Sequence, residues 1–486
     1  MNELSQIIET VSQILCNLAK LLKLMELLAH ILSEKYEMDV IVYTRSVGGH
    51  SVNPKNVNLI INVPVPESKL NQNIIENEGI DLAFTKFRYT YKFRIGIYEE
   101  IISNKKVEIG EEMIEVFDWL SKQKYSFGIA EFNNMEGPFA VFEALGIENT
   151  FDVSASIFYP EHLQFLGIDV KLHSVPEFKF AIPGDWLNND GLLNKQSKRY
   201  KENSLVNEVT NRNLALIHSR TDLFAFDSFY NERNVKDLRV PSSVDLLFKK
   251  VKFHFVNQPF HAKFKEFPIS ENIVYIGGIL VEQNKILIEE KVKANDNDPN
   301  CVALLTFGTV NPIGDFDLKS TAKMFEEFEK HSHCLFKVRL NKFVPENYNK
   351  NIIEVTDEIL PQKEILSKEN TKLFISHCGQ NSLTEAIYAG VPLICIPCAG
   401  DQFYLSSLVE QLGIGIYIKL NISNQNEVDS EVFGADFQNA LNKMLIDNNI
   451  YQKTANELQT KILLDLEDNG PKKNIFLKKI SEVIGK

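Results

Sequence analysis

The sequence predicts an α/β protein of two Rossmann-like units, each built on a parallel, doubly wound sheet. Three observations carry this. The chain has 486 residues, which at roughly 100–200 residues per domain suggests two or three domains. Helical apolar periodicity alternates with short β-branched runs along its length, the signature of βαβ units. A polar stretch, Asn295-Asp-Asn-Asp-Pro299, separates two such alternating series.

The elements follow in order. Leu18, Leu21, Leu22, Met25, Leu28, Ile31 and Leu32 recur at helical spacing, which predicts an amphipathic helix to about Lys35. Asp39–Thr44, ended by Gly48-Gly49, and Val57–Val63, ended by Pro64 and Pro66, read as strands. Gly110–Lys122 reads as a helix leading into the strand Phe127–Ala130. Phe139–Leu145 reads as helical and Thr150–Ser156 as extended, and the polar stretch Gly184–Lys201 as a surface excursion. Ile273–Ile276 closes the first series at Gly277-Gly278. Beyond the linker, strands are expected at Val302–Thr309, Leu335–Val338, Lys372–Ser376 and Pro392–Pro397, with helices at Ser320–Lys330 and Ser382–Ala389 between them. Expected units are residues 1–281, 282–465 and a helical tail, 466–486. Any ligand would lie in the cleft at the carboxyl ends of the strands.

Composition removes several functional classes. Lys+Arg 52 against Asp+Glu 65 gives a net charge of -13, with no basic block for phosphate backbones, so nucleic acid is not an expected partner. The six cysteines are too sparse for a disulfide scaffold, and the Cys395-x-x-Cys398 pair reads as the end of a buried strand rather than a redox centre. No His/Cys/Asp group shows zinc spacing, and no Asp-x-Asp stands at a strand end, so no metal is expected. Leu15–Leu32 is broken by Asn17, Lys20, Lys23, Glu26 and His30, so it cannot span a membrane, and the opening Met-Asn-Glu lacks a basic n-region.

Chemistry concentrates in Leu373-Phe-Ile-Ser-His-Cys-Gly-Gln-Asn-Ser-Leu-Thr-Glu385. A buried strand ends at His377, Gly379 permits a tight turn, and Ser382 with Glu385 matches a capping box at a helix start. Free backbone N–H groups there attract an anion, with His377, Asn381 and Ser382 adding donors. An ordinary capped helix is the plainer alternative.

His377-Cys-Gly-x-Asn-Ser-x-x-Glu385, then Gly390-Val-Pro392, Pro397 and Asp401-Gln402, resembles the donor-site signature of UDP-glycosyltransferases. Phe307-Gly308-Thr309 and Leu360-Pro361-Gln362 fall in the same order upstream. Gly128-Ile-Ala-Glu131, followed by Ala144-Leu-Gly-Ile147, looks like the nematode branch, and weaker likeness runs from about Leu18 to Lys479.

The resemblance implies a GT-B fold: acceptor bound by the first unit, UDP-sugar by the second, and metal-free transfer of glucose or glucuronic acid to a small lipophilic acceptor with inversion. It implies that Gly308, Thr309 and Gly379 shape the donor site, and that His377 and Ser382, with Asn381 beside them, contact the diphosphate. Glu385 would take the ribose hydroxyls, Gln362 would lie by the nucleoside, and Asp401 and Gln402 would hold the sugar. Glu131 would be the carboxylate that orients a catalytic histidine. UDP-sugar is then a substrate, with no cofactor; a homo-oligomer is compatible. An endoplasmic-reticulum membrane location is implied by the family alone, with the sequon Asn421-Ile-Ser423 in keeping.

The sequence departs from the pattern in three places. The family's base histidine belongs ahead of the first helix, near Lys20–Leu22, and Asn2–Leu15 offers neither strand nor Gly-His pair. His50, in Gly48-Gly-His-Ser51, is a weak substitute. Ile359 stands where a tryptophan stacks on uracil, and the C-terminal membrane helix and basic tail are missing. These departures raise the alternative of an impaired, nucleotide-sugar-binding pseudoenzyme or of an incomplete chain.

Overall fold

A computed structural model describes residues 22–45, 56–87, 90–133, 135–169, 181–183, 241–295, 298–308, 316–420, 429–446 and 449–485, with a few isolated positions between 196 and 213. Thr309, His50 and Asn421 lie outside the described residues.

The strands in chain order are β1 (Asp39–Arg45), β2 (Leu59–Val65), β3 (Lys106–Ile109), β4 (Glu112–Glu115), β5 (Gly128–Ala130), β6 (Thr150–Ser154) and β7 (Val251–Val256). They continue with β8 (Ile273–Tyr275), β9 (Val302–Thr306), β10 (Leu335–Arg339), β11 (Ile353–Thr356), β12 (Thr371–Ser376), β13 (Leu393–Cys395) and β14 (Gly415–Tyr417). In the first half, β1 and β2 form a parallel pair and β5-β6-β7-β8 a four-stranded sheet. The second half carries six strands in the order β11-β10-β9-β12-β13-β14. Every pairing in these three sheets is parallel. The architecture is therefore α/β, as the alternating pattern predicts.

The strands are short and apolar because both faces are covered. All five residues of β9 are buried, as are all five of β6. Sequence periodicity fails in one place. Residues 106–115 form the antiparallel hairpin β3–β4, so the helix expected from Gly110 begins only at Val116. Gly110 is the turn, with φ 68, and Val107 and Ile109 alternate inward with period two.

Two helices at opposite ends of the sequence meet on the first half. Leu24, Leu28, Ile31 and Leu32, on the helix of residues 22–33, share a core with Phe151, Phe255 and the C-terminal helix Lys472–Ile484. Phe476 is fully buried, its ring 4.7 Å from that of Phe255. The C-terminal helix thus crosses back from the second half and clasps the first. A buried polar knot sits at the crossing: Glu282 accepts from the Tyr388 hydroxyl (2.9 Å) and the Lys472 backbone N–H (2.7 Å).

Candidate donor and acceptor cleft

The candidate site is assembled at the carboxyl ends of the second sheet. β12 ends at Ser376, and Cys378 takes φ 56, which turns the chain sharply. Gly379 is therefore the N-cap of the helix Gln380–Ala389, and Asn381 and Ser382 lie already inside its first turn. This corrects the capping-box reading of Ser382 and Glu385. No side chain caps this helix, and its first intrahelical bond is Leu383 N–H to Gly379 C=O. The amides before Leu383 have no partner within the helix, which leaves the terminus electropositive and able to receive an anion.

His377 sits against this turn, nearly buried. Gly308, just past β9 with φ 81, packs on the imidazole so closely that an added Cβ would stand 2.9 Å from Cε1. Gly308 C=O in turn accepts from the guanidinium of Arg339, at the end of β10. Arg339 is a buried cation beside the seat that motif reading missed, since it follows no glycine or cap signal. We expect Gly308→Ala to displace the imidazole and to strain the backbone. A hydrogen bond to a charged group is worth about 1.5–3 kcal/mol, so UDP affinity measured by calorimetry should fall about tenfold or more.

Glu385, five residues into the same helix, receives Gln362 Nε2 at 2.6 Å and lies 3.8 Å from Lys363 Nζ. Burial raises its pKa, opposed by Lys363, the Gln362 amide and Lys23 of the first helix. A desolvated carboxylate already holding one donor suits the paired hydroxyls of a ribose. Ile359, where uracil stacking is expected, is 72% exposed.

Asp401 and Gln402 open the helix Asp401–Leu412 and are both buried. Asp401 Oδ2 accepts from the Ser156 hydroxyl of the first half. Gln402 turns its carbonyl inward, to the N–H groups of Cys398 (2.8 Å) and Ala399 (3.0 Å), so it shapes its own loop. Asn381 Oδ1 accepts from Asn257 Nδ2 at 3.0 Å, a second link between the halves.

Across the cleft stands Glu131, directly after β5. Its carboxyl is pushed well above the ordinary 4.5 by burial first and then by Asp152, against a hydrogen bond from the Ala155 amide. Asp152 is held by the Phe132 N–H (2.8 Å) and by His254 Nδ1 (2.8 Å). The Tyr159 hydroxyl lies in the field of both Glu131 and Asp401, is bonded to Asn133, and is pushed far up by burial. Tyr159, Ser156 and Asn257 were not legible in the sequence, because only the folded chain brings them opposite the signature.

Cysteine chemistry differs from expectation. Cys378 is joined to Cys395, and Cys301 to Cys334, while Cys398 is buried and lies outside both disulfides. The partners come from adjacent strand ends, 17 and 33 residues apart respectively, a proximity that no local spacing reports. Among the described residues, Cys301, His333 and Cys334 also gather their ligand atoms within 4.8 Å, so the absence of zinc spacing along the chain overlooked a cluster made by the fold. Among the same residues no helix is long and apolar enough to cross a membrane.

Solved structures share this fold over nearly the whole chain. Rice (O. sativa) Os79, solved with UDP and deoxynivalenol-3-glucoside, has a TM-score of 0.57 at 14% identity, covering 95% of this chain and 96% of that one. Phytolacca americana UGT2, complexed with UDP-2-fluoro-glucose and pterostilbene, has a TM-score of 0.54 at 16% identity, covering 94% and 95%. These are GT-B glycosyltransferases, and the GT-B arrangement is the fold of this chain. In sequence, UDP-glucuronosyltransferase 1A7 of Mus musculus is 28% identical over 224 residues, 46% of this chain and 39% of the relative. A Caenorhabditis briggsae protein named as UDP-glucuronosyltransferase ugt-47 is 27% identical over 359 residues, 72% of this chain and 60% of the relative. The matched part thus spans only about two fifths to three fifths of the length of these curated relatives. A family model described as UDP-glucoronosyl and UDP-glucosyl transferase matches residues 173–463, a stretch that contains the uncapped helix, His377, Glu385 and Asp401. The chain belongs to the UDP-glucuronosyl and UDP-glucosyl transferase family.

Proposed function

We propose that this chain transfers a hexose, glucose or glucuronic acid, from UDP to the hydroxyl of a small lipophilic acceptor, with inversion at the sugar and without a metal in the transfer step. The observation that carries the reading is the convergence of an uncapped helix start, His377 and the Gln362-held Glu385 on one strand-end crevice. The helix amides and His377 would hold the diphosphate, and Glu385 the ribose. Leaving UDP carries the developing negative charge, which the helix terminus and Arg339 would offset.

The acceptor oxygen would attack the anomeric carbon from the face opposite UDP, the side on which Glu131 stands. Its proton would pass to Glu131 itself or to a histidine that Glu131 orients, for which His50 is the candidate from the sequence. Asp401 would hold sugar hydroxyls after exchanging its Ser156 partner for them. Thr309 and His50 remain candidates from sequence for the donor loop and the base.

The test is product analysis with UDP-glucose and UDP-glucuronic acid against a panel of phenols and sterols, with EDTA present. We expect a β-linked conjugate, formed equally with and without the chelator. Donor binding without any conjugate would instead mark a nucleotide-sugar-binding protein. A requirement for added manganese or magnesium would contradict the metal-free displacement.

A further inference from the structure

The cysteine–histidine cluster lies at the end of the second sheet remote from the donor site. Cys301 and Cys334 immediately precede β9 and β10, and Leu335 N–H donates to Cys301 C=O at 2.8 Å. Parallel pairing therefore sets the two cysteines side by side at the amino ends of neighbouring strands, whereas Gly308 and Arg339 stand at the carboxyl ends. At about 3.3 Å per residue, that separation is roughly 20 Å.

The helix Leu318–Lys330 ends in a tight turn, with His331 N–H bonded to Phe328 C=O (3.0 Å) and Cys334 N–H to His331 C=O (2.9 Å). The turn folds His333 back over the cysteines. One nitrogen of its imidazole and the two sulfurs all lie within 4.8 Å of one another. His331 adds a second imidazole, its ring 5.9 Å from that of His333 and hydrogen-bonded to Asn442. The cysteines are buried and His333 is exposed, so an ion would enter from solvent past the imidazole.

We propose that Cys301, Cys334 and His333, with His331 as the fourth donor, form a zinc site that opens when the Cys301–Cys334 disulfide is reduced. Two thiolates and two imidazoles are a tetrahedral zinc donor set, and the cluster contains no carboxylate that would favour calcium or magnesium. The site and the disulfide exclude each other. A dithiol reductant supplies two electrons and two protons, the S–S bond breaks to two thiols, and the reductant leaves as its own disulfide. Zn²⁺ then binds both sulfurs and displaces the two thiol protons to solvent. Either state ties the start of β9 to the start of β10, so these two strands stay fastened at their amino ends under oxidising and reducing conditions.

The test uses the full chain and Co²⁺ as a spectroscopic stand-in for Zn²⁺. After reduction with a phosphine, one equivalent of Co²⁺ should give thiolate-to-metal charge transfer and tetrahedral ligand-field bands, and Zn²⁺ should bleach them. The oxidised chain should give neither. Cys301→Ser should abolish the bands, and His333→Ala, a change at an exposed residue that leaves the fold intact by circular dichroism, should weaken Zn²⁺ binding at least tenfold. Thiolate bands that survive Cys301→Ser, and vanish instead with Cys395→Ser, would place the ion among the other cysteines and overturn the assignment. So would a reduced parent chain without thiolate bands, or His333→Ala binding zinc like the parent. UDP affinity should be the same with and without zinc; a zinc-dependent affinity would put the ion at the donor site and refute the placement.

Discussion

Glu131→Ala should slow glycosyl transfer by about 10²–10⁴-fold while leaving UDP affinity within a factor of two or three. General-base catalysis is typically worth that much, and Glu131 stands across the cleft from the helix start proposed to hold the nucleotide. The pH dependence has a definite sign. Burial and the neighbouring Asp152 raise the Glu131 pKa, so the carboxyl holds its proton at pH values where an exposed glutamate would have lost it. A protonated carboxyl neither takes a proton nor supports an imidazolium, so transfer should fall as pH drops below the raised value and recover above it.

Stability runs the other way. The stabilising contribution of this group is fully present below the unfolded value of 4.5 and is lost as pH rises through the folded one. Glu131→Gln should therefore melt higher than the parent at pH 8 and alike at pH 4. Equal transfer rates in parent and Glu131→Ala would remove Glu131 from the chemistry.

Phe476→Ala should cost about 3–5 kcal/mol, the range for truncating a fully buried aromatic side chain. Its ring fills the gap between the C-terminal helix and Phe255, and it shares a core with Leu28 and Ile31 near the other end of the sequence. The loss should appear as a lower denaturation midpoint by tryptophan fluorescence or circular dichroism. The same helix anchors Lys472, whose N–H donates to Glu282, so a loosened helix should also free the Tyr388 knot between the two halves. A midpoint unchanged by Phe476→Ala would mean that the crossing helix contributes nothing to the fold.

How far the sequence reaches can be judged from these elements. β9 and β12 were legible because their burial on both faces demands unbroken apolar runs such as Val302–Thr306 and Leu373–Ser376. The β3–β4 hairpin was not, since Val107 and Ile109 lie in a charged stretch where period two and period 3.6 compete over four residues. The start of the donor helix was misplaced because Ser382 and Glu385 imitate a capping box, while the deciding event is the left-handed turn at Cys378. The donor signature is local, so its residues are readable as a set. Their partners Arg339, Asn257, Ser156 and Tyr159 come from other strand ends and the loops that follow them, and their roles are tertiary. The raised pKa of Glu131 depends on burial first and then on Asp152 of the adjacent strand β6, and both lie beyond any single-segment reading.

The proposed transfer requires the helix start after β12 to hold a uridine diphosphate. Titration calorimetry of the full chain with UDP, in EDTA, tests it most directly. We expect one UDP per chain, with affinity reduced about 10–100-fold by His377→Ala and by Glu385→Ala, the loss expected for one hydrogen bond to a charged group. Binding of UDP by both variants with the parent's affinity would contradict it.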